Sequence, residues 1–245
     1  MTLKRAKNFC TGHWQLMLML MLMLMTALIF AFWSTPVVVP LQILIVLLHE
    51  LSHAVMSLLT GGSVESLTIN PQQSGMVISR GGNRFLTLSA GYCGSLLIGV
   101  ALFLTAVRTN WDRFVMGMLA AVILAAAALY VRDLFALAFC IAAGLLMLGS
   151  SKYLSHGFND LMLRVIGLSS MIFVPYDIFS DTIARSYLRS DARMLAEEFG
   201  GPTLFWGGAW LIISCLIIVR CLRRGLGANS NMSLRQIRRA GRYRT

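Results

Sequence analysis

Seven long apolar segments set the strongest limit on how this chain of 245 residues can fold. A helix needs about 20 apolar residues to cross roughly 30 Å of hydrocarbon, and most of the segments approach or exceed that length. Charged residues make up only 13% of the chain, against about 25% in a typical soluble domain. The pattern predicts an all-α polytopic membrane protein with six or seven transmembrane helices, over residues 15–33, 41–60, 85–107, 114–131, 134–149, 161–180 and 204–219.

The formal net charge of +11 is confined to the two ends of the chain. Lys4, Arg5 and Lys7 lie before the first apolar segment, and eight arginines but no acid follow residue 219. Basic ends that flank apolar segments are typical of cytoplasmic anchors that contact anionic lipid head groups. We therefore predict a protein of the bacterial inner membrane with a cytoplasmic N-terminus and no nucleic-acid partner.

The sequence is compatible with either six or seven transmembrane spans. Seven spans would place the two basic ends on opposite faces of the membrane, which the positive-inside rule disfavours. One helix over residues 114–149 would be too long for a bilayer, so we predict a tight helical hairpin at Arg132 and Asp133. Either one segment of that pair does not cross, or the basic C-terminal tail departs from the positive-inside rule.

The segments between and around the spans divide the chain further. Residues 1–14 form a basic N-terminus, residues 15–221 the membrane domain, and residues 222–245 a basic tail that we predict to be disordered. Within the membrane domain, residues 63–84 are polar, and two strand-like runs flank a turn, which predicts a short β-hairpin after the second apolar segment. Residues 182–203 form a soluble connector before the last span.

One motif carries chemistry. His49-Glu50-Leu51-Ser52-His53 matches H-E-x-x-H at the centre of the second apolar segment. Residues i and i+4 share one helix face, so both imidazoles can bind one metal ion, and the glutamate beside them can act as a general base. Three such groups are costly to bury in a bilayer without compensation, and a bound Zn²⁺ would provide it. The motif predicts His49 and His53 as zinc ligands and Glu50 as the catalytic base.

A catalytic zinc usually takes three protein ligands, so another helix must supply the third. Asp133, Asp160, Asp177 and Asp181 are the acids in apolar surroundings that compete for this role. Pro175 could open its helix locally and turn a carboxylate inward. We therefore predict Asp177 as the third ligand, with Asp181 as an alternative ligand or a hydrogen-bond partner of the ligand.

Several short stretches resemble those of the site-2-protease clan of intramembrane zinc metallopeptidases, and within it the compact "peptidase family 50B-like" membrane proteins. The stretches are residues 47–54 and 59–62 around the motif, Leu88-Ser89-Ala90-Gly91-Tyr92, residues 177–181 and Ser190-Asp191-Ala192. Better-known members of the clan place their ligand aspartate in an Asn-Pro…Leu-Asp-Gly motif. Pro175-Tyr176-Asp177 lacks that Asn and Gly.

The resemblance implies an intramembrane metalloprotease that hydrolyses a peptide bond within or near a transmembrane segment of a membrane-protein substrate. The hairpin over residues 63–84 would hold the unwound substrate by strand addition. A non-catalytic membrane scaffold or chaperone that retains the metal site is the main alternative. A metal or proton transporter would need a continuous polar path, and the other apolar segments contain few ionisable residues.

Overall fold

The structure is a computed structural model, and it describes Leu20 and residues 24–25, 27–29, 31–33 and 35–225. The predicted basic N-terminus over residues 1–14 and the tail beyond residue 225 lie outside these residues. The elements follow each other in the order α1 (Val39–Leu59), β1 (Ser63–Ile69), β2 (Gly75–Arg80), α2 (Arg84–Arg108), α3 (Asp112–Tyr130), α4 (Leu134–Tyr153), α5 (His156–Phe179), α6 (Asp191–Phe199) and α7 (Thr203–Gly225).

The helices confirm the predicted class of fold. Within the described part of the chain, six helices are long and apolar enough to cross a membrane: α1 to α5 and α7. Pro40 lies in the first turn of α1, and Gly61, with a φ of +84°, follows its last turn. The chain is therefore an integral membrane protein of the all-α polytopic class with one small two-stranded sheet.

The turn between α3 and α4 is the tight hairpin predicted at Arg132 and Asp133. The Asp133 carboxylate accepts a hydrogen bond of 2.8 Å from the Ala136 backbone amide and so caps α4. The Arg132 guanidinium donates to the Leu129 carbonyl at 2.7 Å, at the end of α3. Both helices reach span length, so the structure gives no sign that this pair is where a segment fails to cross.

The β-hairpin is also present where it was predicted. Ile69 pairs with Gly75 next to the turn, Ser63 pairs with Arg80 at the open end, and the register shifts once between these pairs. The Asn70 side chain closes the turn, because its oxygen accepts hydrogen bonds from two backbone amides of the same turn. Leu67 is fully buried and bridges to Val131, so β1 rests against the α3–α4 turn.

Helix α5 differs from the prediction that Pro175 opens it. The helix continues through Pro175 to Phe179, and the irregularity comes later, as one π-helical turn over Ser180–Ala184. Such turns are frequent at functional sites, because they re-aim the side chains that follow. The connector then forms α6, whose first turn is capped by the Ser190 side chain.

Close helix packing fixes the centre of the bundle. A stripe of small residues on α2, formed by Gly91, Ser95 and Gly99, meets α5 at Gly99 and Gly167, where each glycine approaches the backbone carbonyl of the other. The Ser170 hydroxyl adds a hydrogen bond of 2.9 Å to the Ser95 carbonyl. Small side chains let two backbones approach closely in lipid, where apolar burial offers no driving force between helices.

Two ends of the bundle can be distinguished. The end of α1, the β-hairpin, the start of α2, the α3–α4 turn and α6 gather at one end, which we call the hairpin end. The Leu67–Val131 bridge and an ion pair of 3.0 Å between Arg84 and Glu198 link these elements. At the opposite end, the Arg108 guanidinium donates to the Arg224 carbonyl of α7. The chemistry described below lies toward the hairpin end.

Candidate metal centre

The H-E-x-x-H motif lies on a buried face of α1, as predicted. The side chains of His49 and His53 are only 12% and 10% exposed. Their rings meet edge to face with centroids 4.8 Å apart, so both imidazoles point to the same side of the helix. The i, i+4 spacing therefore brings the two imidazoles together on one face of α1, as the sequence predicts.

The third group of the cluster is Asp191, which sequence reasoning did not identify as a ligand. Its Oδ2 atom lies 3.0 Å from His49 Nε2 and 3.1 Å from His53 Nε2. Among the described residues, these three side chains form the one group of histidine, cysteine and acid side chains whose ligand atoms could hold a metal ion. Asp191 is the first residue of α6, and the buried side chains of Ala192 and Leu195 anchor that helix to the bundle.

The hydrogen bonds around His53 show that the cluster fits a cation. His53 donates from Nδ1 to the Thr87 carbonyl at 2.7 Å, which leaves the lone pair of a neutral imidazole on Nε2. That lone pair faces the Asp191 carboxylate, and two electron-pair donors this close require a proton or a cation between them. Two imidazoles and one carboxylate are also a common ligand set for catalytic zinc, with a fourth position open.

Gly91 on α2 keeps the space at the cluster open. A Cβ atom built on Gly91 would lie 2.5 Å from His53 Nε2 and 2.6 Å from Asp191 Oδ2, and still closer to His49 Nε2. Any side chain at this position would occupy the volume onto which the three ligand atoms converge. The small-residue stripe on α2 therefore has a second role here, since its first member, Gly91, faces the candidate metal centre.

The predicted ligand Asp177 and its alternative Asp181 lie beside the cluster and outside it. The Asp181 carboxylate accepts a hydrogen bond of 2.8 Å from the Tyr92 hydroxyl and lies 3.2 Å from the Arg185 guanidinium. Asp177 lies 3.8 Å from the same guanidinium. The Tyr92 ring in turn packs edge-on against His49, with centroids 5.3 Å apart. The acids one turn apart thus share an arginine next to the metal centre.

The other two acids considered from the sequence have structural partners. Asp133 caps α4, and Asp160 pairs with Arg164 at 2.9 Å near the start of α5.

Asp191 differs from the other four acids in its electrostatic surroundings. Burial by itself would raise the pKa of Asp191, but the charges and hydrogen bonds of His53 and His49 outweigh burial and hold that pKa below its usual range.

A cavity of about 490 Å³ opens next to the cluster. Its walls include the three candidate ligands, Glu50 and residues of the turn and second strand of the hairpin. Gly75, the first residue of β2, lies directly against Glu50, because a Cβ atom built on it would come 2.6 Å from Glu50 Oε1. Among the described residues, the Glu50 carboxylate has no hydrogen-bond donor. The group predicted as the base is therefore buried and lines the cavity.

Comparison with known proteins identifies the family. The Peptidase M50B-like family model matches residues 18–221, which is most of the chain. A search of curated proteins and a search of solved structures found no match. The chain belongs to the Peptidase M50B-like family, which supports a membrane fold of metallopeptidase type, and the His49–His53–Asp191 cluster is compatible with that type.

Proposed function

We propose that this protein is an intramembrane zinc metalloprotease that hydrolyses a peptide bond within or near a transmembrane segment of its substrate. The observation that carries the proposal is the Glu50 carboxylate, which has no hydrogen-bond donor among the residues that the structure describes. It lines a cavity of about 490 Å³ beside a two-histidine, one-aspartate cluster. A structural metal site would need the ligands and no adjacent free base. Membership of the Peptidase M50B-like family supports the same class of activity.

We assign His49, His53 and Asp191 as the residues that would hold zinc. A bound Zn²⁺ would lower the pKa of a water molecule towards about 7 and polarise the substrate carbonyl. The Thr87 carbonyl keeps the His53 ring in the orientation and tautomer that metal binding requires. Asp181 would support the site through its hydrogen bond with Tyr92, whose ring packs against His49. Asp177 and Asp181 also share the Arg185 guanidinium next to the site.

Glu50 would perform the proton transfers. Its carboxylate would accept a proton from the attacking water and pass it to the leaving nitrogen as the peptide bond breaks. Positioned acid–base groups of this kind typically contribute 10²–10⁴-fold to a rate. The buried environment of Glu50 keeps competing solvent away, and Gly75 leaves its carboxylate enough room beside the hairpin.

The β-hairpin provides the place where an unwound substrate segment would bind. A transmembrane helix must open before hydrolysis, because all of its backbone groups are paired. Strand β1 is occupied by β2 on one edge and by the bridge to Val131 on the other. Residues of β2 line the cavity. We therefore propose that the substrate adds as a strand along β2, with its scissile bond above the metal centre.

We also propose a location in the bacterial inner membrane with a cytoplasmic N-terminus. Lys4, Arg5 and Lys7 support this orientation, since basic residues next to a span remain on the cytoplasmic side. The basic residues at both ends would contact anionic lipid head groups.

The decisive experiment compares wild-type protein with Glu50→Gln, both purified in detergent. We expect both proteins to contain about one zinc per chain, and only the wild type to cleave apolar peptides in reconstituted vesicles. Glu65→Gln is the matched control, because Glu65 pairs with Arg80 on the hairpin away from the centre, and it should cleave like the wild type. Zinc in both proteins without cleavage in either would favour the non-catalytic scaffold.

A further inference from the structure

The cavity wall contains three arginines besides the candidate catalytic groups: Arg84, Arg185 and Arg189. Two of them are engaged with carboxylates of the protein. Arg84 donates from Nε to both oxygens of Glu198 at 3.0 and 3.2 Å. Arg185 contacts Asp181 and Asp177 and donates to the Ser180 hydroxyl at 2.9 Å. Their charges are therefore largely compensated.

Arg189 is the exception. Within the described part of the chain, its guanidinium has neither a hydrogen bond nor an ion pair, and its side chain is exposed. It stands two positions before the third candidate ligand, and Ser190 between them is the N-cap of α6. The backbone segment that places Asp191 at the candidate metal centre thus also places the Arg189 guanidinium on the wall of the same cavity.

An unpaired guanidinium on a cavity wall can recognise a ligand with a carboxylate. Its planar fork of N–H donors matches a carboxylate in two parallel hydrogen bonds, and such charge-assisted pairs are roughly twice as strong as neutral ones. The acids nearby do not satisfy it, since Asp177 and Asp181 share Arg185 and Asp191 faces the two histidines.

We propose that Arg189 is a specificity-determining residue that binds a carboxylate of the peptide held in the cavity. The inference rests on the proposed protease function and adds the substrate class, a segment with an acidic group next to the bond to be cleaved. That group is the side chain of an aspartate or glutamate, or the terminal carboxylate of a peptide that ends at the cavity. Arg189 acts on substrate choice and takes no part in the proton transfers of Glu50.

The test measures binding apart from cleavage. Zinc-loaded full-length Glu50→Gln protein in detergent is titrated with fluorescent apolar peptides of about 20 residues, which carry one Glu, Gln or Lys at successive positions. We expect at least one Glu peptide to bind about tenfold more tightly than its Gln counterpart. Adding Arg189→Gln should abolish the difference, and adding Arg189→Glu should shift the preference to Lys.

Two controls separate the possible sources of the effect. Arg220→Glu makes the same charge change at the other end of the bundle and should leave the preference intact. Peptides with amidated and free C-termini distinguish a terminal carboxylate from a side chain. Equal binding of Glu and Gln peptides at every position, a preference unchanged by Arg189→Gln, or no peptide binding at all would overturn the proposal.

Cleavage by the wild type is then scored separately with the same peptides. Cleavage without any preference for an acidic group would overturn the role of Arg189 and leave the protease function intact. A preference in binding that depends on Arg189, without cleavage by the wild type, would overturn the protease function and leave the carboxylate site. The two failures are therefore distinguishable.

Discussion

Asp191 Oδ2 lies 3.0 Å from His49 Nε2, although 142 residues separate the two side chains in the sequence. His49 belongs to a transmembrane helix, whereas Asp191 begins a short helix outside the spans. The contact depends on α6 being held at the hairpin end, where Phe85 packs against Phe199 and Arg84 pairs with Glu198. The candidate metal centre therefore joins the membrane core to the connector before α7.

The first prediction concerns the ligands. His49→Ala and Asp191→Ala should each weaken zinc binding by at least about a hundredfold, because each removes a ligand and even changes to supporting groups cost 10–100-fold. Asp177→Ala should retain near one zinc per chain, since Asp177 contacts Arg185 and not the cluster. Metal analysis after equilibration with a competing chelator measures the difference. Loss of zinc from Asp177→Ala with retention in Asp191→Ala would restore Asp177 as the ligand.

The second prediction concerns Gly91. Gly91→Ala should abolish zinc binding while the protein still folds, because the added methyl group would occupy the space between the ligand atoms. Helix propensity alone would favour alanine over glycine by about 1 kcal/mol. Gly149→Ala on α4 is the matched control, since a Cβ there meets nothing within 4 Å, and it should bind zinc normally. Circular dichroism and metal content, measured on the same preparations, separate folding from binding.

The third prediction concerns the contact between the hairpin and the base. A methyl group at Gly75 would meet the Glu50 side chain at 2.5 to 2.8 Å, so Gly75→Ala should displace the carboxylate or lift the hairpin. We expect zinc content to stay near the wild-type value and kcat to fall roughly 10–100-fold, which is part of what a general base contributes. Gly157→Ala makes the same change at the start of α5, at the other end of the bundle, where a Cβ atom meets nothing within 4 Å, and it should change kcat little. Normal turnover by Gly75→Ala would contradict the assigned position of Glu50.

The sequence was sufficient to predict those features of the fold that depend on local patterns. Apolar length predicted the spans, alternation around Asn70 predicted the β-hairpin, and the i, i+4 spacing of the motif placed both histidines on one face. These features depend on neighbours within a few residues. The Arg132–Asp133 turn was found for the same reason.

The third member of the cluster could not be predicted in that way. The acids predicted as candidates lie in apolar surroundings, whereas Asp191 lies in a polar connector and approaches the histidines only through the tertiary packing of α6. The stretch Ser190-Asp191-Ala192 resembled the family without indicating a role. Pro175 was misleading, because α5 continues through it and the π-helical turn follows only at Ser180.

The fourth prediction concerns pH. Zinc competes with protons for the imidazoles of His49 and His53, so affinity should fall as the pH is lowered. Asp191 contributes differently: burial alone would raise its pKa, but the two histidines hold it below its usual range, so the carboxylate stays ionised until the pH falls through that lowered value. The plot of log Kd against pH should therefore approach a slope of about two protons per zinc. A slope of three would show that Asp191 titrates with the histidines.

The fifth prediction concerns the placement of the two ends of the bundle. Six spans leave the start of α1 and the end of α7 on one face and the β-hairpin with α6 on the other. A topology reporter inserted at Gln73 and one fused after Gly225 should therefore report opposite sides of the membrane. A third reporter before residue 15 tests whether the first apolar segment, residues 15–33, crosses the membrane. This reporter will agree with the one at Gln73 if the segment crosses, and with the C-terminal fusion if it does not. Identical sides for Gln73 and the C-terminal fusion would mean that one of the five helices between them does not span, and the positions of the basic ends would need a different explanation.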